Sequence, residues 1–173
     1  MRKIVSGAWM RRIAVGGAAV ALALGTVGIG SPAQASVAQG YVAGAGVLTD
    51  DWGDEGTISA TTRNHSNAVF LWQAVLFADG YLTSTSQLDC WFGDTTKAAT
   101  KRWQDDHNLA DVDGIVGPAT FGKADDKLFW SGTEIRYNGS VTDIYNLSRD
   151  SSGYYELGSS TRKASYTNAS ACS

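Results

Sequence analysis

The side chains able to do chemistry are few, and their spacing is uninformative for catalysis. The chain has two histidines, His65 and His107, in no H-x-H or H-E-x-x-H setting. A catalytic zinc needs about three protein ligands, so no metal site is expected. No G-x-S-x-G elbow marks a serine nucleophile. Cys90 paired with His107 as base would make a thiol nucleophile, but nothing around either residue supports it. Cys90 and Cys172 are the only cysteines, and in an exported chain such a pair reads as a disulfide. It would close a loop of roughly 80 residues, worth about 4.5 kcal/mol in the chain-entropy model. Asp50, Asp51, Asp54 and Glu55 crowd one short segment. Carboxylates cluster in this way around calcium, but the spacing is not that of an EF-hand, and a solvated turn is expected. Two carboxylates can also serve a glycosidase without any sequence signature, so a hydrolase with an unrecognised site stays as an alternative.

A short repeat is more informative. Asp89-Cys-Trp-Phe-Gly93-Asp-Thr-Thr96 aligns with Asp113-Gly-Ile-Val-Gly117-Pro-Ala-Thr120. Each copy reads as a tight loop feeding a helix. The aspartate accepts local backbone N–H bonds, and Phe92 or Val116 plugs the core. Gly93 or Gly117 is expected to take a backbone angle that other residues avoid.

The elements that must position these loops begin after an export signal. Arg2, Lys3, Arg11 and Arg12 precede an uncharged run from Ile13 to Ile29, then Ser31-Pro32 and the small-x-small site Ala33-Gln34-Ala35. Cleavage before Ser36 is expected. The apolar run is short for a membrane span, and Arg11-Arg12 lacks the strongly apolar pair of a twin-arginine signal, so general secretion is favoured. Removing those four of the 14 basic residues leaves ten against 17 acidic ones, a net charge of −7. Such a surface disfavours nucleic acid and anionic membranes as partners.

Residues 36–65, rich in glycine and acidic residues, read as an extended arm. Ser66 or Asn67 can cap a helix carrying Val69, Trp72, Val75 and Leu76 on one face, stopped at Asp79-Gly80. A second helix is expected from Asp94 as cap to about His107. A third opens at Pro118 and aligns Phe121, Ala124 and Leu128. Beyond Phe129 the period changes to two. Glu134–Tyr137 and Ser140–Leu147 read as strands joined by a type I′ turn at Asn138-Gly139. Further strands are expected at Tyr154–Leu157 and Arg162–Tyr166. The fold class is thus α+β: three helices over residues 66–128, then an antiparallel β-meander over 129–173.

Residues 66–128 resemble the three-helix peptidoglycan-binding domain of bacterial wall hydrolases. The match runs through Trp72-Gln73, Gly80-Tyr81, Asp89 to Gly93 with Thr96, Ala99, Trp103-Gln104, and Asp113-Gly114-Ile115-Val116-Gly117 with Thr120. Cys90 departs from the glycine usual at its position, which a disulfide would explain. Trp72 and Trp103 are larger than usual there. The arm and meander lie outside the motif. Together with the Ala- and Gly-rich signal, they look like small exported proteins of actinobacteria.

The resemblance implies a shallow groove along the repeated loops for the stem peptide or glycan. Gln73 and Gln104 are the expected amide contacts, with Asp89 and Asp113 either touching ligand or bracing their loops. Trp91, one step from the plugging Phe92, is expected to point outward as a stacking ring. Trp72, Trp103, Phe92 and Val116 are expected in the core. The implied protein is secreted, associates with the cell wall, needs no cofactor and binds peptidoglycan without cleaving it, with a separate wall hydrolase as a further implied partner. A scaffold or inhibitor that binds another protein is the remaining alternative, since fold does not fix function.

Overall fold

The computed structural model describes residues 39–158 and 161–173; the expected signal peptide and its cleavage site lie outside them. Three α-helices are followed by five strands: α1 Asn67–Ala78, α2 Asp94–Asp106, α3 Pro118–Asp125, β1 Leu128–Ser131, β2 Glu134–Tyr137, β3 Ile144–Arg149, β4 Tyr155–Leu157 and β5 Arg162–Lys163. The strands pair antiparallel in chain order. No helix among the described residues is long and apolar enough to cross a membrane.

Ser66 caps α1, its Oγ accepting from Val69 N at 3.3 Å. The helix carries no charged residue along its twelve positions and is buried over most of its surface, as a helix apolar on every face must be. Trp72 and Trp103 meet edge to face, centroids 5.1 Å apart, and Phe121 meets Trp72 likewise at 5.9 Å. These rings, with Phe92 and Val116, form the helical core. Asp94 is not a cap: Gly93 holds that position and Asp94 lies in the first turn, where its charge suits the helix dipole. Helix α3 ends earlier than its apolar stripe suggested. Lys127 N bonds Ala124 O at 3.1 Å, closing the last turn, and Leu128 opens β1 instead.

The expected strands pair, β2 with β3, but the type I′ turn at Asn138-Gly139 does not form. A type I′ turn needs positive φ at both central residues, and neither has it. The tight hairpin is β1–β2, where Ser131 pairs with Glu134 and Gly132 takes φ +66°. Residues 138–143 instead fold onto the C-terminus of α1. Val141 N and Thr142 N both donate to Ala78 O, at 2.9 and 3.1 Å, satisfying a carbonyl that the helix end leaves open. A Cβ on Gly139 would lie 2.5 Å from that oxygen, so only glycine permits the approach.

Residues 39–65 are not a free arm. Val42 N donates to Ala164 O and Tyr155 N to Val42 O, both at 2.9 Å, stitching the segment to the sheet. Val42, Leu48, Trp52 and Ile58 are buried in the common core. The acidic segment is likewise no solvated turn, because Asp51 and Glu55 are each 1% exposed. Asp51 takes the Tyr155 hydroxyl and pairs with Arg149 at 3.0 Å. Glu55 accepts from Ala43 N at 2.6 Å and from the Tyr166 hydroxyl. Burial raises both carboxyls, Glu55 to about 8, with the tyrosine bonds opposing it.

Candidate functional site

The two repeated loops superimpose in chemistry as well as in sequence. Gln73 on α1 reaches into the first, its Nε2 donating to Asp89 Oδ1 at 2.8 Å, Trp91 O at 3.0 Å and Thr96 Oγ1 at 3.1 Å. Its Oε1 accepts from Cys90 N at 3.0 Å. Gln104 on α2 treats the second loop identically. Nε2 donates to Asp113 Oδ1 at 3.3 Å, Ile115 O at 2.8 Å and Thr120 Oγ1 at 3.0 Å, and Oε1 accepts from Gly114 N at 2.8 Å. Both glutamines are buried, at 0% and 1% exposure. The amides expected to face a ligand therefore face inward, with donors and acceptor occupied. Their part is to lock each loop.

Asp89 and Asp113 also brace: Oδ1 of each accepts the backbone N–H two residues on, from Trp91 at 2.9 Å and Ile115 at 2.8 Å. The left-handed backbone falls one residue after each aspartate, not at Gly93 or Gly117. Cys90 has φ +64° and Gly114 φ +75°, whereas Gly93 and Gly117 are N-caps with φ −87° and −124°. Cys90 thus holds a conformation that suits the glycine of the second loop, and its Sγ is bonded to Cys172. The bond ties the first loop to the last turn, Ser170–Cys172. Asn67 holds the same tail, accepting from Ala171 N at 2.8 Å and donating to Lys163 O at 2.8 Å.

The segment before α1 crosses both loops on their core side. Ile58 and Val116 exchange backbone bonds at 2.9 and 3.0 Å, and Phe92 N donates to Asn64 O at 2.7 Å. The outward sides stay open. Trp91 is 51% exposed, as expected, with His65 stacked on one face at 3.9 Å. His65 sits there because the segment before α1 forms an antiparallel β-bridge with the first loop, pairing His65 with Trp91. Beside the first loop lies a polar pocket of about 160 Å³ bordered by Gln87, Asp89, Trp91 and Asp94. The matching pocket at the second loop, about 190 Å³, is more apolar, with Leu109, Ala110, Ile115 and Pro118 around it.

One residue of consequence was hidden in a helix stop signal. The Asp79 carboxylate, at the end of α1, accepts from Trp103 Nε1 at 2.8 Å, Tyr137 OH at 2.6 Å, Lys127 Nζ at 2.8 Å and Ser140 N at 2.9 Å. Burial pushes its pKa upward, but these donors outweigh burial and hold it below the usual aspartate value. Only its place before Gly80 was visible in sequence; its partners are far along the chain. Among the described residues, no group of three His, Cys, Asp or Glu side chains is placed to hold a metal ion.

No curated protein and no solved structure matches this chain. Residues 65–123, the stretch that contains α1, both loops, α2 and the start of α3, match the family model described as a putative peptidoglycan binding domain.

Proposed function

We propose that this chain is exported through a cleaved leader and holds to the cell wall, binding peptidoglycan non-covalently and without cleaving it. The observation that carries the reading is the pair of glutamine-locked loops within the segment similar to the wall-binding family. Locking both loops from behind fixes their outer surfaces before ligand arrives, which lowers the ordering cost of binding. The free face of Trp91 suits stacking on a sugar ring. The pocket around Ile115 suits the short methyl-bearing side chains of a stem peptide. Asp89 and Asp113 can each present the carboxylate oxygen not engaged by the loop. The disulfide fits an oxidising compartment, in keeping with a cell-wall or extracellular place. A separate wall hydrolase is a compatible partner, since binding alone performs no turnover.

Co-sedimentation with purified insoluble peptidoglycan tests this. The protein is expected in the pellet, with no reducing sugar or free amine released into solution. Released product would reveal an enzyme; protein left wholly in the supernatant would favour the protein-binding scaffold.

A further inference from the structure

We propose that the second loop of the wall-binding face is gated by pH, a regulation that rests on the function proposed above. Two buried carboxyl groups, Glu55 and Asp125, form the latch, and they grip the N-terminal segment only while they carry their protons. Each residue is 1% exposed. Oε1 of Glu55 accepts from Ala43 N at 2.6 Å, and Oε2 lies against the Tyr166 hydroxyl. That hydroxyl also accepts from Gly56 N at 2.9 Å and has Gly56 O at 3.4 Å. As a neutral acid, Glu55 donates to the Tyr166 oxygen, and the hydroxyl donates onward to Gly56 O. Every group is then partnered and no charge is buried. Asp125, at the end of α3, accepts from Trp52 N at 2.7 Å through Oδ2, while its Oδ1 is buried without a partner.

Little answers the charge if either group ionises. Neither carboxyl is ion-paired among the described residues. Glu55 has the like charge of Asp54 beside it, and Arg63 lies over the Tyr166 ring at 5.7 Å with its guanidinium donating to Thr57 O. Asp125 faces Asp126 next in the chain and Asp50 and Asp51 from the N-terminal segment. On that side the Arg149 guanidinium is committed to Asp51 and Gly46 O. A buried charge without a partner is so costly that the group keeps its proton instead, and Glu55 and Asp125 titrate at about 8 and about 7. The grip is therefore firmest in mild acid and weakens as pH rises through those values. Ile58, a few positions after Glu55, exchanges both backbone bonds with Val116 of the second loop. A bare charge behind it frees the segment to move toward water, and Val116 and the pocket at Ile115 lose their backing. The first loop is held independently by Gln73 and the Cys90–Cys172 bond, so the second loop responds.

The test measures co-sedimentation of the full chain with purified peptidoglycan at about pH 6 and about pH 8.5, either side of the two titrations, well below the melting temperature. Affinity should fall by about tenfold or more, the effect of one unit of pKa difference between two states. The double variant Glu55→Gln, Asp125→Asn, whose amides reproduce the neutral acids, should match the wild type in mild acid and keep its affinity at the higher pH. Nuclear magnetic resonance follows the latch without the wall. The Ile58 and Val116 amide shifts should titrate in the wild type and stay fixed in the double variant. Binding that falls equally in both proteins would belong to the wall's own ionisable groups and overturns the proposal, as does wild-type binding indifferent to pH. Wild-type shifts that do not titrate overturn it even if the double variant fails to fold. Absence of wall binding at both pH values, with the shifts still titrating, would sink the wall-binding reading and leave the latch; fixed shifts with binding intact would do the reverse.

Discussion

Gln104, behind the second loop, and Trp91, on the outer side of the first, make different contributions, and substitution should separate them. Gln104→Ala leaves the buried Gly114 N–H without its acceptor and frees Thr120. A buried donor left unpaired costs about 1–3 kcal/mol, so the urea midpoint should fall and wall binding should fall with it. Trp91→Ala removes an exposed ring, and should cut co-sedimentation while changing stability by less than about 0.5 kcal/mol. Equal stability of the two variants would mean that the glutamine bonds contribute nothing to the loops. A duplicated glutamine was readable in the sequence, but its direction was not. The clue is the duplication itself: a residue recurring with each copy of a loop has a ready explanation in the loop's own hydrogen bonds. Cys90 shows a similar limit. Its place at the glycine position was legible, yet the left-handed backbone there emerges only from the coordinates.

Between elements, long-range partners decide what local signals cannot. The helices were legible because Ser66, Gly80 and Pro118 mark their ends and the apolar period is strong. Asn138-Gly139 misled because the Asp79 carboxylate and the Ala78 carbonyl capture the N–H groups of residues 140–142 and draw the chain into a longer connection than a two-residue turn. Asp79→Asn should therefore loosen α1, α2 and the sheet together. Breaking a buried charge pair costs about 3–5 kcal/mol, which thermal unfolding would register as a large drop; a drop confined to surface-mutation scale would refute the role. Cys172→Ser acts on a different junction, the bonded cysteines being 82 positions apart in sequence. It should cost about 2–5 kcal/mol, and amide exchange should quicken in the tail before the helices. Exchange quickening first in α2 or α3 would place the bond's main effect elsewhere.

For the molecule as a whole, two buried acids set the response to pH: Glu55 of the N-terminal segment, and Asp125 at the end of α3, which accepts from Trp52 N at 2.7 Å. Burial lifts Glu55 from 4.5 to about 8 and Asp125 from 3.8 to about 7. The folded state therefore binds protons that the unfolded chain has released. That contribution is full at pH values below the unfolded pKa values and is lost as pH rises through the window up to about 8. Asp79, held low, has the opposite sign and loses its contribution only as pH falls below the usual aspartate range. Melting temperature should thus peak in mild acid and decline toward neutrality, and Glu55→Gln should flatten the decline. A melting temperature that climbs steadily to pH 8 would contradict these burial effects. None of this was visible in a run of four carboxylates, because Tyr155, Arg149 and Tyr166 stand about 100 residues away in sequence.

The reach of Asp79 also bears on modularity. Of its four donor residues, only Trp103 lies inside residues 65–123; Lys127, Tyr137 and Ser140 lie beyond. Ile58, which backs the second loop, lies before that stretch. An excised 65–123 fragment would strand a buried charge and expose much of α1, so it should not serve as a portable wall-anchoring tag. A transplanted piece is expected to need the N-terminal segment, the sheet and the tail along with the helices, as one block.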